Sequence, residues 1–322
     1  MENVIKYNNV DWTLPLLFSF DAYIIAMSKV AKELKIKNPI TFAYGMMPTK
    51  WTGGRISKFR TQDKKAIEKH LKKVIEAGTT PLFTFSKYFI EKEDLNDEFA
   101  NWLLDFGYEH NCQFIISSDL LYDHIKSKYP DAKCIASVLK FVFELEKVLE
   151  TGETEYYNSL IDKYERIVLR PEYSRKKLLK HLNDIKDLSK VEVLINQVCI
   201  NNCKEAIREH SNIPISDYDE NAKSQVGVFC PFEAYRRKNG LEKAFLVGNC
   251  YEKTEVDAMV ENGVRHLKLQ GRNYEKYSIF GMIGGHLFDS VGTYSEISSY
   301  LFDMINNDKK ILKDLIITPR KF

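Results

Sequence analysis

Apolar residues follow two rhythms along the chain. In short runs they alternate with polar residues, the period of a strand; between those runs they recur three and four residues apart, the period of a helix. Strands are predicted at residues 14–20, 40–46, 81–85, 113–117, 134–138, 166–169, 191–196 and 264–270. Helical spacing covers 22–34, 62–76, 120–128, 141–149, 156–164, 176–185 and 275–288. A further helix carries Phe99, Leu103, Leu104 and Phe106 and is capped by Asn96 or Asp97. In the helix at 62–76 the apolar stripe is Ala66, Ile67, Leu71, Val74 and Ile75, and Gly78 stands where a C-terminal glycine belongs.

Eight strands alternating with helices predict an α/β fold of the (β/α)8 TIM-like barrel class, one barrel domain over residues 1–322. A doubly wound open sheet is the alternative, because counting elements does not prove closure. The connection between the seventh and eighth strands, residues 197–263, is far longer than the others. Long insertions on a barrel are usually functional, and barrel active sites lie at the C-terminal ends of strands.

Strand alternation then sorts residues by face. Glu192, Leu194 and Asn196 share one face of the seventh strand; His266, Lys268 and Gln270 share one face of the eighth. In a barrel the purely apolar sets face the helices, so these mixed sets face inward, and Glu192 is expected to pair with Lys268. A structural ion pair and a catalytic one are both compatible with that pattern.

Composition narrows the setting. The chain has 47 basic and 45 acidic residues, a net charge of +2, which gives no bulk electrostatic argument for nucleic-acid binding and leaves room only for a local basic groove. Six widely spread cysteines do not suit a secreted disulfide framework. The N-terminus lacks a signal-peptide pattern and no apolar stretch is long enough to span a bilayer, so a cytoplasmic protein with no membrane partner is expected.

In that compartment thiols are free to bind metal. Cys199 and Cys203 stand close together just past the seventh strand, and Cys230 and Cys250 follow in the same insertion. These four are the expected metal ligands, although Cys250 can equally end a short structural strand. One close pair and two single cysteines suit an iron–sulfur cluster better than zinc, which is the alternative; His210 could substitute as a ligand. Cys112 and Cys134 abut strands and are read as small buried hydrophobes.

Several other residues suggest recognition. Gln270-Gly271-Arg272 closes the eighth strand, where glycine lets a ligand approach and arginine can grip a carboxylate or phosphate with two bonds. Arg170, ending the sixth strand, and Arg55, in the Gly53-Gly54-Arg55 loop, could join it, or each could make a surface salt bridge. Trp51 could stack on a planar substrate or pack on the rim. Phosphate-cradling, dinucleotide-binding, serine-elbow and zinc-protease motifs do not occur.

Val191-Glu192-Val193-Leu194-Ile195-Asn196 followed by Cys199 and Cys203 resembles the strand-and-cysteine segment of the collagenase-like peptidase family (family U thirty-two). Residues 264–272, Val-Arg-His-Leu-Lys-Leu-Gln-Gly-Arg, resemble the family's Phe-Lys-Ile-x-Gly-Arg signature, and residues 255–263 the helix that leads into it. The specific motifs occupy about residues 190–272. The resemblance implies a barrel-like catalytic domain. Several members of the family are similar to oxygen-independent hydroxylases that act on RNA bases or on a quinone precursor, with a four-iron cluster on cysteines of this region. Carried over, it makes Cys199, Cys203 and Cys230 cluster ligands with Cys250 as the fourth, and lines the cavity with Lys268 and Arg272. A small-molecule or RNA substrate and a paralogous protein partner are implied. A peptidase, as the family name says, and a non-catalytic cluster-binding subunit are the alternatives. Asn201-Asn202 between the close cysteines departs from the better-known members, whose corresponding segment is richer in glycine.

Overall fold

The computed structural model describes residues 5–53, 63–169, 182–200, 205, 231–240, 248–271, 276–289, 295, 297–299, 301, 303, 304 and 307. The strands are β1 (Asp11–Leu14), β2 (Phe42–Gly45), β3 (Thr80–Phe85), β4 (Gln113–Ile116), β5 (Cys134–Ala136), β6 (Arg166–Leu169), β7 (Val191–Leu194), β8 (Asn196–Ile200), β9 (Gly248–Cys250) and β10 (His266–Lys268). Eight of them close a barrel in the order β1-β10-β7-β6-β5-β4-β3-β2, with every neighbouring pair parallel. This is the (β/α)8 barrel that the alternation of elements predicts, and closure rules out the open sheet. β8 and β9 stand apart as an antiparallel pair.

The described α-helices are α1 (Asp21–Leu34), α2 (Lys64–Glu76), α3 (Glu98–Glu109), α4 (Asp119–Lys128), α5 (Val138–Phe143), α6 (Leu145–Thr151), α7 (Glu153–Lys163), α8 (Pro231–Asn239), α9 (Lys253–Glu261) and α10 (Lys276–Leu287). Their starts follow side-chain chemistry. Asp63, Asp97, Ser118 and Ser137 each accept a backbone N–H of the first turn. Gly78, with φ of 79°, ends α2 in the left-handed conformation that glycine adopts without steric cost. No helix among the described residues is long and apolar enough to cross a membrane.

Three elements differ from expectation: of the helix predicted at 176–185, residues 176–181 lie outside the described residues and Leu182–Asp184 form a 3-10 turn. The first strand is Asp11–Leu14, not residues 14–20. Pro15 has no N–H to give a ladder, and the apolar run after it folds into tight turns, with Leu16 N–H bonded to Leu14 O and Phe20 N–H to Leu16 O. The helix predicted at 141–149 divides into α5 and α6 at Glu144, whose buried carboxylate accepts from Lys140 and Tyr156, both at 2.5 Å.

The interior follows from the register. Each strand pair is offset so that inward side chains stack in layers of four drawn from alternate strands. The lowest layer is Phe42, Gln113, Arg166 and His266; the middle is Thr13, Leu82, Ile135 and Glu192; the upper is Tyr44, Ile115, Val168 and Lys268. Seven apolar members of these strands, Phe42, Tyr44, Leu82, Ile115, Ile135, Val168 and Leu194, form their own buried cluster. Outward residues such as Trp12, Leu14, Phe83, Phe114, Val191, Val193 and Leu267 belong to the larger core between strands and helices.

The loop after β2 is pinned to the C-terminal end of β3. Ser86 Oγ donates to Gly53 O at 2.6 Å, and Lys87 N–H bonds to Trp51 O at 3.1 Å. A Cβ on Gly53 would lie 2.4 Å from the Cα and N of Lys87 and the O of Ser86, all backbone atoms. Gly53→Ala is therefore expected to cost about 1–3 kcal/mol by overpacking, read as a lower denaturant midpoint. An unchanged midpoint would show that the loop yields.

Candidate active site at the barrel mouth

β7 and β10 lie side by side, with His266 opposite Glu192 and Lys268 opposite Leu194. The expected pair forms: Lys268 Nζ sits 3.2 Å from Glu192 Oε1, inside the barrel. The other carboxylate oxygen accepts from Arg166 Nε at 3.2 Å. Side-chain exposure is 0% for Glu192, 4% for Arg166 and 8% for Lys268, so the three charges meet away from bulk water. Burial by itself pushes the Glu192 carboxyl up, but Lys268 and Arg166 outweigh it and hold the group below the usual carboxylate range. Burial, followed by Arg166, pushes His266 down, against the opposing pull of Glu192 and Asp11, whose Oδ2 lies 3.7 Å from its Nδ1.

Aromatic rings complete the setting of the two cations. The Arg166 guanidinium lies 4.1 Å from the centroid of Phe42, and the Lys268 ammonium 4.5 Å from that of Tyr44. Tyr44 in turn donates its hydroxyl to Leu269 O at 2.9 Å, which fixes the ring beneath the end of β10. Arg166 is not among the residues that the sequence marks for chemistry, although a signal exists: it shares strand parity with inward-facing Val168. A charge at the first position of a strand reads more readily as an exposed end.

Above this group the exits of β7 and β10 are tied together. Asn196 accepts from Gln270 N–H at 2.8 Å and donates to Gln270 O at 3.2 Å. Gln270 is half-buried, and these bonds fix the backbone that leads into Gly271. Gly271 has φ of 143°, a conformation that side-chain-bearing residues rarely adopt, which accounts for glycine in the Gln270-Gly271-Arg272 turn. Arg272, Arg170 and Arg55 lie outside the described residues.

Trp51 does not offer a ring to a substrate. It is fully buried, its indole N–H donates to Asp94 O at 2.8 Å, and Phe85 and His124 pack edge-on against it. The rim-packing alternative holds here, because a large ring beside the closely packed Gly53 fills the space between the β2 and β3 loops.

For the cysteines, the described residues give a partial placement. β8, which contains Cys199, leaves the barrel one residue beyond β7 and pairs with β9, which ends at Cys250. Asn196 is opposite Cys250, Gln197 opposite Asn249 and Ile200 opposite Gly248, with a register irregularity between Gln197 and Ile200. Two of the four cysteine-bearing segments thus run side by side at the end of β7. Cys250 is half-buried, with its thiol 3.8 Å from Gln197 O. Cys203 and Cys230 lie outside the described residues, as does the side chain of Cys199. Among the described residues, no three His, Cys, Asp or Glu side chains converge on a common point. Cys112 and Cys134 are buried, and burial pushes both thiols up to about 12, as small inert hydrophobes require.

No protein-family model matches the chain, and no curated protein matches it.

Proposed function

We propose that the chain is an iron–sulfur-dependent enzyme of the collagenase-like peptidase type, similar to the oxygen-independent hydroxylases of that family, with its reaction at the C-terminal mouth of the barrel. The observation that carries the reading is the pairing of β8 with β9. It runs the segment that contains Cys199 alongside the one that ends at Cys250, which is opposite Asn196, at the exit of a barrel strand whose interior residue Glu192 binds two cations. Thiolates suit iron–sulfur binding, and Cys203 and Cys230 complete the proposed set with Cys199 and Cys250. When bound, the cluster supplies one-electron chemistry or an open iron position.

In this reading the chain's own residues bind and orient. Glu192 fixes Lys268 so that its ammonium stays beneath the mouth, between Tyr44 and the carboxylate. Asn196 sets the course of Gln270-Gly271, and so the point from which Arg272 extends. Arg272 and Arg170 grip an anionic group of the substrate. The substrate is a small molecule or RNA, and a paralogous protein is the proposed partner.

Anaerobic purification followed by iron, sulfide and zinc analysis with a visible spectrum tests the reading. About four iron and four sulfide per chain, with a brown colour, is the expected result. A colourless protein that holds zinc would make the cysteines structural and would overturn it, as would a protein with no metal.

A further inference from the structure

Large apolar side chains reach the surface at few places. Among the described residues those exposed are Phe89, 63% exposed, Leu149, 67%, and Tyr235, 36%. A single exposed apolar residue is ordinary, but apolar side chains gathered on one face mark a contact surface. Phe89 and Leu149 belong to two segments that the structure joins: the loop just past the C-terminal end of β3, and the run of α5 and α6.

Three rings make the junction. Tyr88 stacks on Phe143, at the end of α5, with centroids 4.8 Å apart. Phe89 packs edge-on against both, 5.1 Å from Tyr88 and 5.3 Å from Phe143. The Tyr88 hydroxyl donates to Glu144 Oε1 at 3.4 Å across the same junction. The loop is also braced elsewhere: Lys87 N–H bonds to Trp51 O at 3.1 Å, Lys87 Nζ to Asp94 Oδ2 at 2.6 Å, and Ile90 N–H to Tyr88 O at 3.0 Å. Phe89 is thus presented from a turn that is already ordered, and covering it costs little further chain entropy.

The charges of these segments indicate what covers it. Their exposed carboxylates are Glu91, Glu93, Glu146 and Glu150. Their exposed lysines are Lys92 and Lys147, and the second already lies 3.6 Å from Glu144. Lys87 is held by Asp94, and the buried Lys140 by Asp119 and Glu144 at 2.9 and 2.5 Å. Exposed rings among an excess of carboxylates repel phosphate, which disfavours a nucleic-acid backbone or an anionic lipid surface. They suit a cation with a planar or apolar body. Guanidinium fits best, because it stacks on an aromatic face and gives a carboxylate two parallel bonds.

We propose that this face, with Phe89 as its anchor, docks an arginine-bearing basic segment of a protein partner beside the barrel mouth. Phe89 stacks on a guanidinium, Glu91 and Glu93 supply carboxylates, and Tyr88 and Phe143 hold the Phe89 ring in place. The surface goes beyond the reading of the mouth as a reaction site and stands whether or not the cysteines hold a cluster.

Fluorescence anisotropy tests it, with the full chain titrated into a labelled oligoarginine peptide. Oligolysine and oligoglutamate peptides of equal length and an RNA oligomer serve as comparisons. Wild type is expected to bind oligoarginine more tightly than oligolysine, and to bind neither anionic probe through Phe89. Phe89→Ser should weaken oligoarginine binding roughly tenfold. Glu91→Gln/Glu93→Gln, which leaves the ring in place, should weaken it as well and flatten its salt dependence; this second variant decides the matter where Phe89→Ser fails to fold. Several results would overturn the proposal: wild type does not bind oligoarginine, oligolysine binds as tightly, or folded variants bind as wild type does. RNA binding that Phe89→Ser abolishes would make the face a nucleic-acid surface instead. A dimer seen by sedimentation that Phe89→Ser converts to monomer would assign the face to a second copy of the chain. Iron and sulfide analysis of the same preparations keeps the two readings apart. A metal-free protein that binds oligoarginine through Phe89 removes only the cluster, and a cluster-bearing protein that does not bind it removes only this surface.

Discussion

Glu192→Ala is expected to destabilise the protein by about 3–5 kcal/mol, because it removes the buried carboxylate that both Lys268 and Arg166 bind. Arg166 and Lys268 are 4% and 8% exposed at their side chains, so water does not replace the lost carboxylate. A loss of that size is a large part of the stability of an ordinary domain, about 5–15 kcal/mol. The effect should depend on pH. In the folded protein the carboxyl is held below its usual range by Lys268 and Arg166, against the upward push of burial. A group depressed in this way contributes stability above its unfolded value and loses it as pH falls through the folded value. The acid limb of the wild-type stability profile should therefore be steeper than that of Glu192→Gln, which has no proton to take up. Denaturant melts from neutral to acid pH measure both effects. Equal acid limbs, or a loss below 1 kcal/mol for Glu192→Ala, would show that the cations find another partner. Adding Lys268→Met to Glu192→Gln should recover part of the loss, since one of the two buried cations that the carboxylate served is then gone.

That pair is legible in the sequence because strand alternation has a period of two and the barrel has a fixed inside. Once residues 191–196 and 264–270 are neighbouring strands, Glu192 and Lys268 share the inner face and have few other partners to choose. The sixth strand has the same bounds in sequence and structure, yet the role of Arg166 escapes the sequence because it depends on register: one residue either way would put it on the helix side. The first strand is displaced because an apolar run as dense as Leu14-Pro15-Leu16-Leu17-Phe18 reads as a buried strand, while proline and short-range backbone bonds make it a turn. Trp51 is ambiguous for a different reason. A loop position does not reveal burial, and its enclosure comes from Phe85 and His124, which reach it from a different strand and helix.

Cys199→Ala is expected to abolish the visible absorbance of the anaerobically purified protein and to reduce its iron from about four per chain towards zero, since a cluster of this kind is held by four thiolates. The same loss is expected for Cys203→Ala and Cys230→Ala. Cys112→Ala and Cys134→Ala are the internal controls. Both thiols are buried against strands, and burial pushes them up to about 12, so neither supplies a thiolate near neutral pH. Their replacement should leave iron and spectrum as in wild type. Cys250→Ala is the most informative member of the series. Its place at the end of β9, opposite Asn196, suits a fourth ligand and a strand end equally well as far as register goes. Chemistry separates the two. A ligand's removal takes the iron with it, whereas a structural cysteine's removal leaves the iron and costs only the packing of a small half-buried side chain. If all six single variants keep the wild-type spectrum, the cysteines hold no cluster, and the buried group of Glu192, Lys268 and Arg166 becomes the leading guide to what this barrel binds.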